Sequence, residues 1–118
     1  MNDETVIKVI DIVKGPLCVS TEDGQILHDE IAPYIRGDKP ITISFVGVTT
    51  LISAFLNAAI GQLYGEFSED KIRQLLKVKG LDQDDLELLK RVNDNAKIYF
   101  KNKKGYDLAW KDEVGDEE

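Results

Sequence analysis

Twenty-six consecutive residues, Pro40 to Gly65, carry no charge in a chain whose residues are 31% charged. The run is long enough to be tested as a membrane span. It fails that test, because Thr42, Ser44, Thr49, Thr50, Ser53, Asn57 and Gln62 put too many polar groups into hydrocarbon. Gly47 also divides it into two pieces of different period. Residues 41–46, ITISFV, alternate, with Ile41, Ile43 and Phe45 on one side and Thr42, Ser44 and Val46 on the other, as in a strand. The piece that follows has helical spacing from about Thr49 or Thr50. Ile52, Phe55, Leu56, Ala59, Ile60, Leu63 and Phe67 share its core side. Ser53, Asn57, Gly61 and Tyr64 share the opposite side, flanked by Ala54, Ala58 and Gly65. A free helix face is charged and wet. This one is small and neutral, so something is expected to cover it, either another part of the chain or another molecule.

The rest of the chain supplies alternating elements. Residues 5–13, TVIKVIDIV, are β-branched and nearly continuous and read as a buried strand. Lys14-Gly15-Pro16 is a turn signal, and Leu17 to Val19 then reads as a short return strand of a hairpin. Ser20-Thr21-Glu22-Asp23 is a helix start, a hydroxyl cap followed by acids. Leu27, Ile31, Tyr34 and Ile35 fall on one face of that helix, Pro33 predicts a kink or a loosened last turn, and Gly37 ends it. Ser68-Glu69-Asp70 reads as a turn or helix cap, and residues 71–79 fit either a helical turn or a strand, with the strand favoured late in the stretch. Asp82 or Asp84 caps a final helix with Leu86, Leu89, Val92, Ala96 and Tyr99 as its apolar stripe. The predicted architecture is a small α/β domain over residues 1–100, with a mixed sheet of about four strands and three main helices packed on it. Residues 101–118 are expected to form a charged C-terminal tail, disordered by default, with Tyr106, Leu108 and Trp110 as scattered apolar anchors.

Charge and composition exclude several functions. The net charge of −7 argues against nucleic acid and against an anionic membrane surface as partners. The single cysteine, Cys18, allows no disulfide framework and reads as a small buried hydrophobe, which fits a reducing, cytoplasmic setting. The single histidine, His28, sits beside Asp29 and Glu30 and reads as an exposed, solvated side chain. No metal-ligand spacing is present, and the acidic cluster Asp82-Gln83-Asp84-Asp85 lacks the pattern of a calcium loop. With neither metal nor cofactor expected and no nucleophile–base pair in view, an enzyme is the least supported class.

One segment remains for chemistry. Thr49, Thr50 and Ser53 lie where a strand feeds a helix, and a phosphate on a hydroxyl in a first helical turn is electrically favoured. A simpler role for Thr49 or Thr50 is to cap the helix.

The pieces STEDG at 20–24, ISFVGV at 43–48 and SAFLNAAIGQLYG at 53–65 resemble the STAS superfamily, known for anti-sigma-factor antagonists, and more closely a bacterial STAS-like family of unknown function. The resemblance spans roughly Val19 to Tyr99. In the antagonists, a strand and turn lead to an Asp-Ser pair whose serine a partner kinase phosphorylates. That serine falls here on Ser53, and Ile52 stands where the antagonists carry the acid. The resemblance implies a non-enzymatic regulatory module that docks a protein partner, a kinase-type ATPase or another regulator, around this helix start. Ser53, Asn57, Gly61 and Tyr64 are then the expected partner-binding face, and Ser53, Thr49 and Thr50 the expected phosphorylation sites. The alternatives are a homodimer using the neutral face and the tail, and a sensor of a small ligand or nucleotide at the same helix start.

Overall fold

The computed structural model describes the backbone of residues 5–113 and the side chains of residues 5–101. The chain begins with β1 (Thr5–Lys8), α1 (Val9–Val13), β2 (Leu17–Cys18) and α2 (Thr21–Arg36). The uncharged run then supplies β3 (Ile41–Ser44), β4 (Thr50–Leu51), α3 (Ser53–Ala59) and a 3-10 helix over Gly61–Gly65. Last come α4 (Glu69–Leu75), β5 (Leu76–Lys79) and α5 (Gln83–Glu113).

Three strands form one sheet in the order β1-β3-β5, and every pairing is parallel. The expected mixed sheet of about four strands is therefore corrected to a parallel three-stranded sheet and a separate two-stranded ladder, β2-β4, also parallel. The return-strand expectation fails for the same reason. Leu17 and Cys18 pair with Thr50 and Leu51, not with the first strand.

All four residues of the central strand β3 are buried, Thr42 and Ser44 among them. A central parallel strand is covered on both faces, so its polar residues sit inside as well. The Ser44 Oγ accepts from the Val46 amide at 3.4 Å. Past β3 the chain turns sharply, with the Val48 amide donating to the Phe45 carbonyl at 3.0 Å. Gly47 occupies the turn position with φ +92°, where a side chain would be strained.

The expected strand over 5–13 stops at Lys8. Lys8 pairs with Ser44, the last residue of β3, so the ladder has no further partner to offer. The chain coils instead into α1. Val9, Ile12 and Val13 are spaced i, i+3, i+4 and meet the core on one helical face. Lys14, at φ 65°, closes that helix.

The cap readings hold. The Ser20 Oγ accepts from the Asp23 amide at 3.0 Å and starts α2. The Ser68 Oγ accepts from the Lys71 amide at 3.2 Å and starts α4. The Asp82 carboxylate accepts from the Asp85 amide at 2.9 Å at the head of α5. Helix α2 continues through Pro33 to Arg36, and Gly37 follows it. The strand favoured late in residues 71–79 is β5, preceded by the helical turn that the same residues also fit.

The core is shared by α2 (Leu27, Ile31, Ile35), β3 (Ile41, Ile43) with Phe45 just after it, and α3 with the 3-10 helix (Phe55, Leu56, Leu63). Leu89 and Val92 of α5 close it from outside. The backbone of α5 is helical to Glu113, past Phe100, where the tail was expected to begin. The apolar anchors Tyr106, Leu108 and Trp110 lie outside the residues whose side chains are described.

Helices α2 and α3 meet very closely at Gly24. A Cβ there would lie 2.6 Å from the Phe55 carbonyl oxygen and 2.8 Å from the Ala58 Cβ. Alanine at position 24 gains about 1 kcal/mol of helix propensity. The clash is with backbone, which cannot swing away, so Gly24→Ala is expected to lower stability by about 1–3 kcal/mol in urea titration. A net gain in stability would contradict the packing.

Cys18 is fully buried, and burial, with a smaller effect from Asp23, pushes its thiol from 9.0 up to about 11. The unfolded thiol therefore ionises first as pH rises. Its contribution to stability is whole below pH 9.0 and is lost as pH climbs toward 11. Urea midpoints of the wild type should fall more steeply over that interval than those of Cys18→Ala, and equal slopes would place the thiol in solvent.

Candidate functional site

The neutral helix face is divided between two environments. The expected continuous helix from Thr49 or Thr50 to Phe67 is instead a seven-residue α3 followed, after Ile60, by the 3-10 helix. Changing from 3.6 to 3 residues per turn rotates the later residues relative to the earlier ones. Ser53 and Asn57 remain exposed. Gly61 is buried and Tyr64 half-buried, both facing α5.

Helix α5 covers the second half of the face. A Cβ on Gly61 would come within 3.5 Å of the Ala96 Cβ and 2.5 Å of the Asn57 Oδ1. Gly65 lies directly against the Phe100 ring. The Lys97 ammonium sits 5.6 Å from the centre of the Tyr64 ring and 3.0 Å from the Glu69 carboxylate. Burial pushes the Tyr64 hydroxyl above its ordinary pKa, with Lys97 pulling the other way. These contacts hold Gly61 and Tyr64 in the packing between the 3-10 helix and α5.

The first half of the face stays open as one wall of a groove of about 650 Å³ between α3 and α5. Ser53, Ala54 and Asn57 line it from α3, and Asn95, Ala96 and Tyr99 from α5. None of the described residues lining it is charged. Sequence reading placed Ala96 and Tyr99 on the buried stripe of the last helix and overlooked Asn95. The available signal was an uncharged amide among the charged residues of that helix.

The two threonines stand apart from the helix. Thr49 donates from its amide to the Pro16 carbonyl at 2.9 Å and from its hydroxyl to the same oxygen at 3.4 Å. Thr50 lies in β4 opposite Leu17. Neither caps α3. The cap position is Ile52, whose side chain has no hydrogen-bonding group, and Ser53 is the first helical residue. Of the three hydroxyls singled out as phosphorylation sites, only Ser53 is in the first turn. Thr49 and Thr50 are exposed but belong to the preceding loop and strand.

His28 is buried, contrary to its expected exposure, because it faces the segment that follows the 3-10 helix. Its Nε2 lies 3.0 Å from the Glu66 carboxylate. Its Nδ1 lies 3.1 Å from Asp29 Oδ1 and 3.2 Å from Gln25 Nε2. With Nε2 donating to Glu66, Nδ1 is satisfied either way, since a protonated Nδ1 donates to Asp29 and a bare one accepts from Gln25. The hydrogen bond from His28, then that from Gln25, holds the Asp29 carboxyl below the ordinary carboxylate range. This is a tie between α2 and a segment distant in sequence, and it lies apart from the groove. Among the described residues no cluster of three or more His, Cys, Asp or Glu could hold a metal ion. No helix among them is long and apolar enough to cross a membrane.

Residues 23–86, just over half of the chain, match the family described as a STAS-like domain of unknown function (DUF4325), and the chain belongs to that family. The match runs from the first turn of α2 to the first turn of α5, a narrower span than the resemblance from Val19 to Tyr99. No curated protein and no solved structure matches the chain.

Removing Glu66 leaves the buried His28 Nε2 without its carboxylate. Glu66→Ala is expected to cost about 1–3 kcal/mol of stability, and Glu66→Gln, whose amide oxygen still accepts, distinctly less. Equal losses in urea titration would show that the bond contributes nothing.

Proposed function

We propose that this chain is a non-enzymatic regulatory module of a bacterial cytoplasm that docks a protein partner at the start and open half of α3. One observation carries the reading, a solvent-open groove whose described lining residues are all uncharged, on a protein of net charge −7. Buried interface centres are depleted of charge, because each ion taken from water must be compensated. Ser53 and Asn57 supply hydrogen-bonding groups over a floor of small side chains, which fits close approach with defined register. The two residues best suited to covalent catalysis are engaged elsewhere. His28 is held by Glu66 and Asp29, and Cys18 is buried with its thiol pushed away from ionisation.

The partner class we favour is the kinase-type ATPase of the anti-sigma-factor antagonist resemblance, with another regulator as the next choice. Phosphorylation of Ser53 would then act as the switch. A phosphoryl group adds about −1.5 to −2 charges to a neutral docking face. The same group would lie at the first turn of a helix that has no side-chain cap, where a negative charge is favoured. It would thus be tolerated by the domain and rejected by the partner.

The test is affinity capture from the native host with the full chain as bait, read by mass spectrometry. Ser53→Glu and Asn57→Arg are both at exposed positions. Each is expected to reduce a stoichiometric partner at least about tenfold, a loss of roughly 1.4 kcal/mol. Wild-type capture by both variants would overturn the proposal.

A further inference from the structure

The three-stranded sheet ends on β5, which pairs with β3 on one side and with no described strand on the other. The Phe45 amide donates to the Lys79 carbonyl at 2.8 Å, so Lys79, and by alternation Lys77, turn their main-chain groups to β3. Val78, between them, then turns its N–H and C=O to the free edge. Such an edge is a template for one more strand.

The side chains along the edge select the strand. Leu76 and Val78 pack toward the core, and Lys77 and Lys79 are exposed on the opposite face of the sheet. On that face Lys79 shares a row with Ser44 and with Lys8 of β1, which is exposed too. Among the described residues the ion pairs occupy Lys71, Arg73, Lys90 and Lys97, and none reaches Lys8, Lys77 or Lys79. A chain with 22 acidic residues thus leaves three lysines of one sheet face without a counter-ion. Lys77 and Lys79 stand about 6.6 Å apart along the strand, which is also the spacing of alternate side chains on a strand laid beside them. Carboxylates at every second position match it, and opposite charges on adjacent strands attract. Nucleic acid and anionic bilayers carry charge far beyond this patch and would meet the carboxylates that give the chain its net charge of −7. A short acidic segment does not. On the core side, the same edge borders a hollow of about 220 Å³ with Leu76, Val78, Ile72 and Leu89 as its apolar wall. Glu69, Arg73 and Lys97 at its rim are paired with one another. An added strand with acids beside Lys77 and Lys79 turns its intervening side chains toward this hollow, where apolar ones fit.

We propose that β5 accepts an extended segment of a protein partner, paired to the main chain of Val78, with acidic side chains beside Lys77 and Lys79 and apolar ones toward the hollow. The edge shares no lining residue with the groove between α3 and α5. The proposal does not rest on the docking assigned to that groove. It is read with a synthetic probe on the purified chain, whereas the groove is read by capture, and the two fail separately.

The probe is a capped hexapeptide of alternating glutamate and valine, titrated to millimolar concentration into the isotope-labelled full chain at low salt and followed by amide resonances. The signals of Lys77, Val78 and Lys79 are expected to shift, and solvent exchange of the Val78 amide to slow at least about tenfold at saturation. The double variant Lys77→Glu, Lys79→Glu is expected to bind at least about tenfold more weakly, a factor worth roughly 1.4 kcal/mol. Signals that do not move with millimolar peptide overturn the proposal and leave the lysines as guards of a sheet edge. Shifts without slowed exchange at Val78 overturn it as well, because charge alone would then hold the peptide. Should the double variant lose its fold by circular dichroism, a hexapeptide of alternating lysine and valine reads the same dependence on the wild type. It is expected to bind at least about tenfold more weakly than the acidic one, and equal binding overturns the proposal. An oligothymidylate that moves the same signals as strongly would overturn it in favour of nucleic acid.

Discussion

Small residues let α3 and the 3-10 helix lie closer to their neighbours than ordinary side chains would allow. On one side Gly24 of α2 sits against the Phe55 carbonyl and the Ala58 Cβ of α3. On the other, Gly61 and Gly65 sit under Ala96 and Phe100 of α5. The uncharged segment is thus held between two helices, while Ile41 and Ile43 of the sheet and Phe45 just after it complete the core around Phe55, Leu56 and Leu63. Dispersion falls away steeply with distance, so close approach contributes to stability as directly as the amount of apolar surface does.

That arrangement explains why a neutral face exists at all and why only part of it is free. The change from α3 to the 3-10 helix at Ile60 turns Gly61 and Tyr64 under α5 and leaves Ser53 and Asn57 in the open. What begins as a packing requirement ends as a groove, because α5 covers the second half of the face more closely than the first. The family match covers the elements that build the α3 wall, whereas Asn95, Ala96 and Tyr99 of the opposite wall lie beyond residue 86.

Local signals in the sequence were read well where one side chain decides the outcome. Ser20, Ser68 and Asp82 each accept the capping hydrogen bond expected of them. The central strand was visible as ITISFV, although its alternation concealed that Thr42 and Ser44 are buried too. What the sequence hid was decided by partners far away in the chain. The run TVIKVIDIV suits a strand or a helix equally, and only the end of β3 at Ser44 makes it change at Lys8. Leu17 and Cys18 looked like a hairpin return because the strand they pair with lies over thirty residues later, at Thr50 and Leu51. His28 looked solvated because its neighbours in sequence are acids, and Glu66 is what covers it. For the site, the small side chains announced a close contact, but period alone could not say that the helix would tighten at Gly61. The tightening leaves Ser53 and Asn57 exposed, Gly61 buried and Tyr64 half-buried.

The central claim is that α5 closes the second half of the neutral face and leaves the first half as a groove. Carbon-edited nuclear Overhauser spectra of the isotope-labelled chain test it most directly. The account predicts cross-peaks from the Phe100 ring to the Gly65 α-protons and from the Ala96 methyl to the Gly61 α-protons. A folded chain lacking both would contradict it, because α5 would then stand away from the 3-10 helix and the groove would have no second wall.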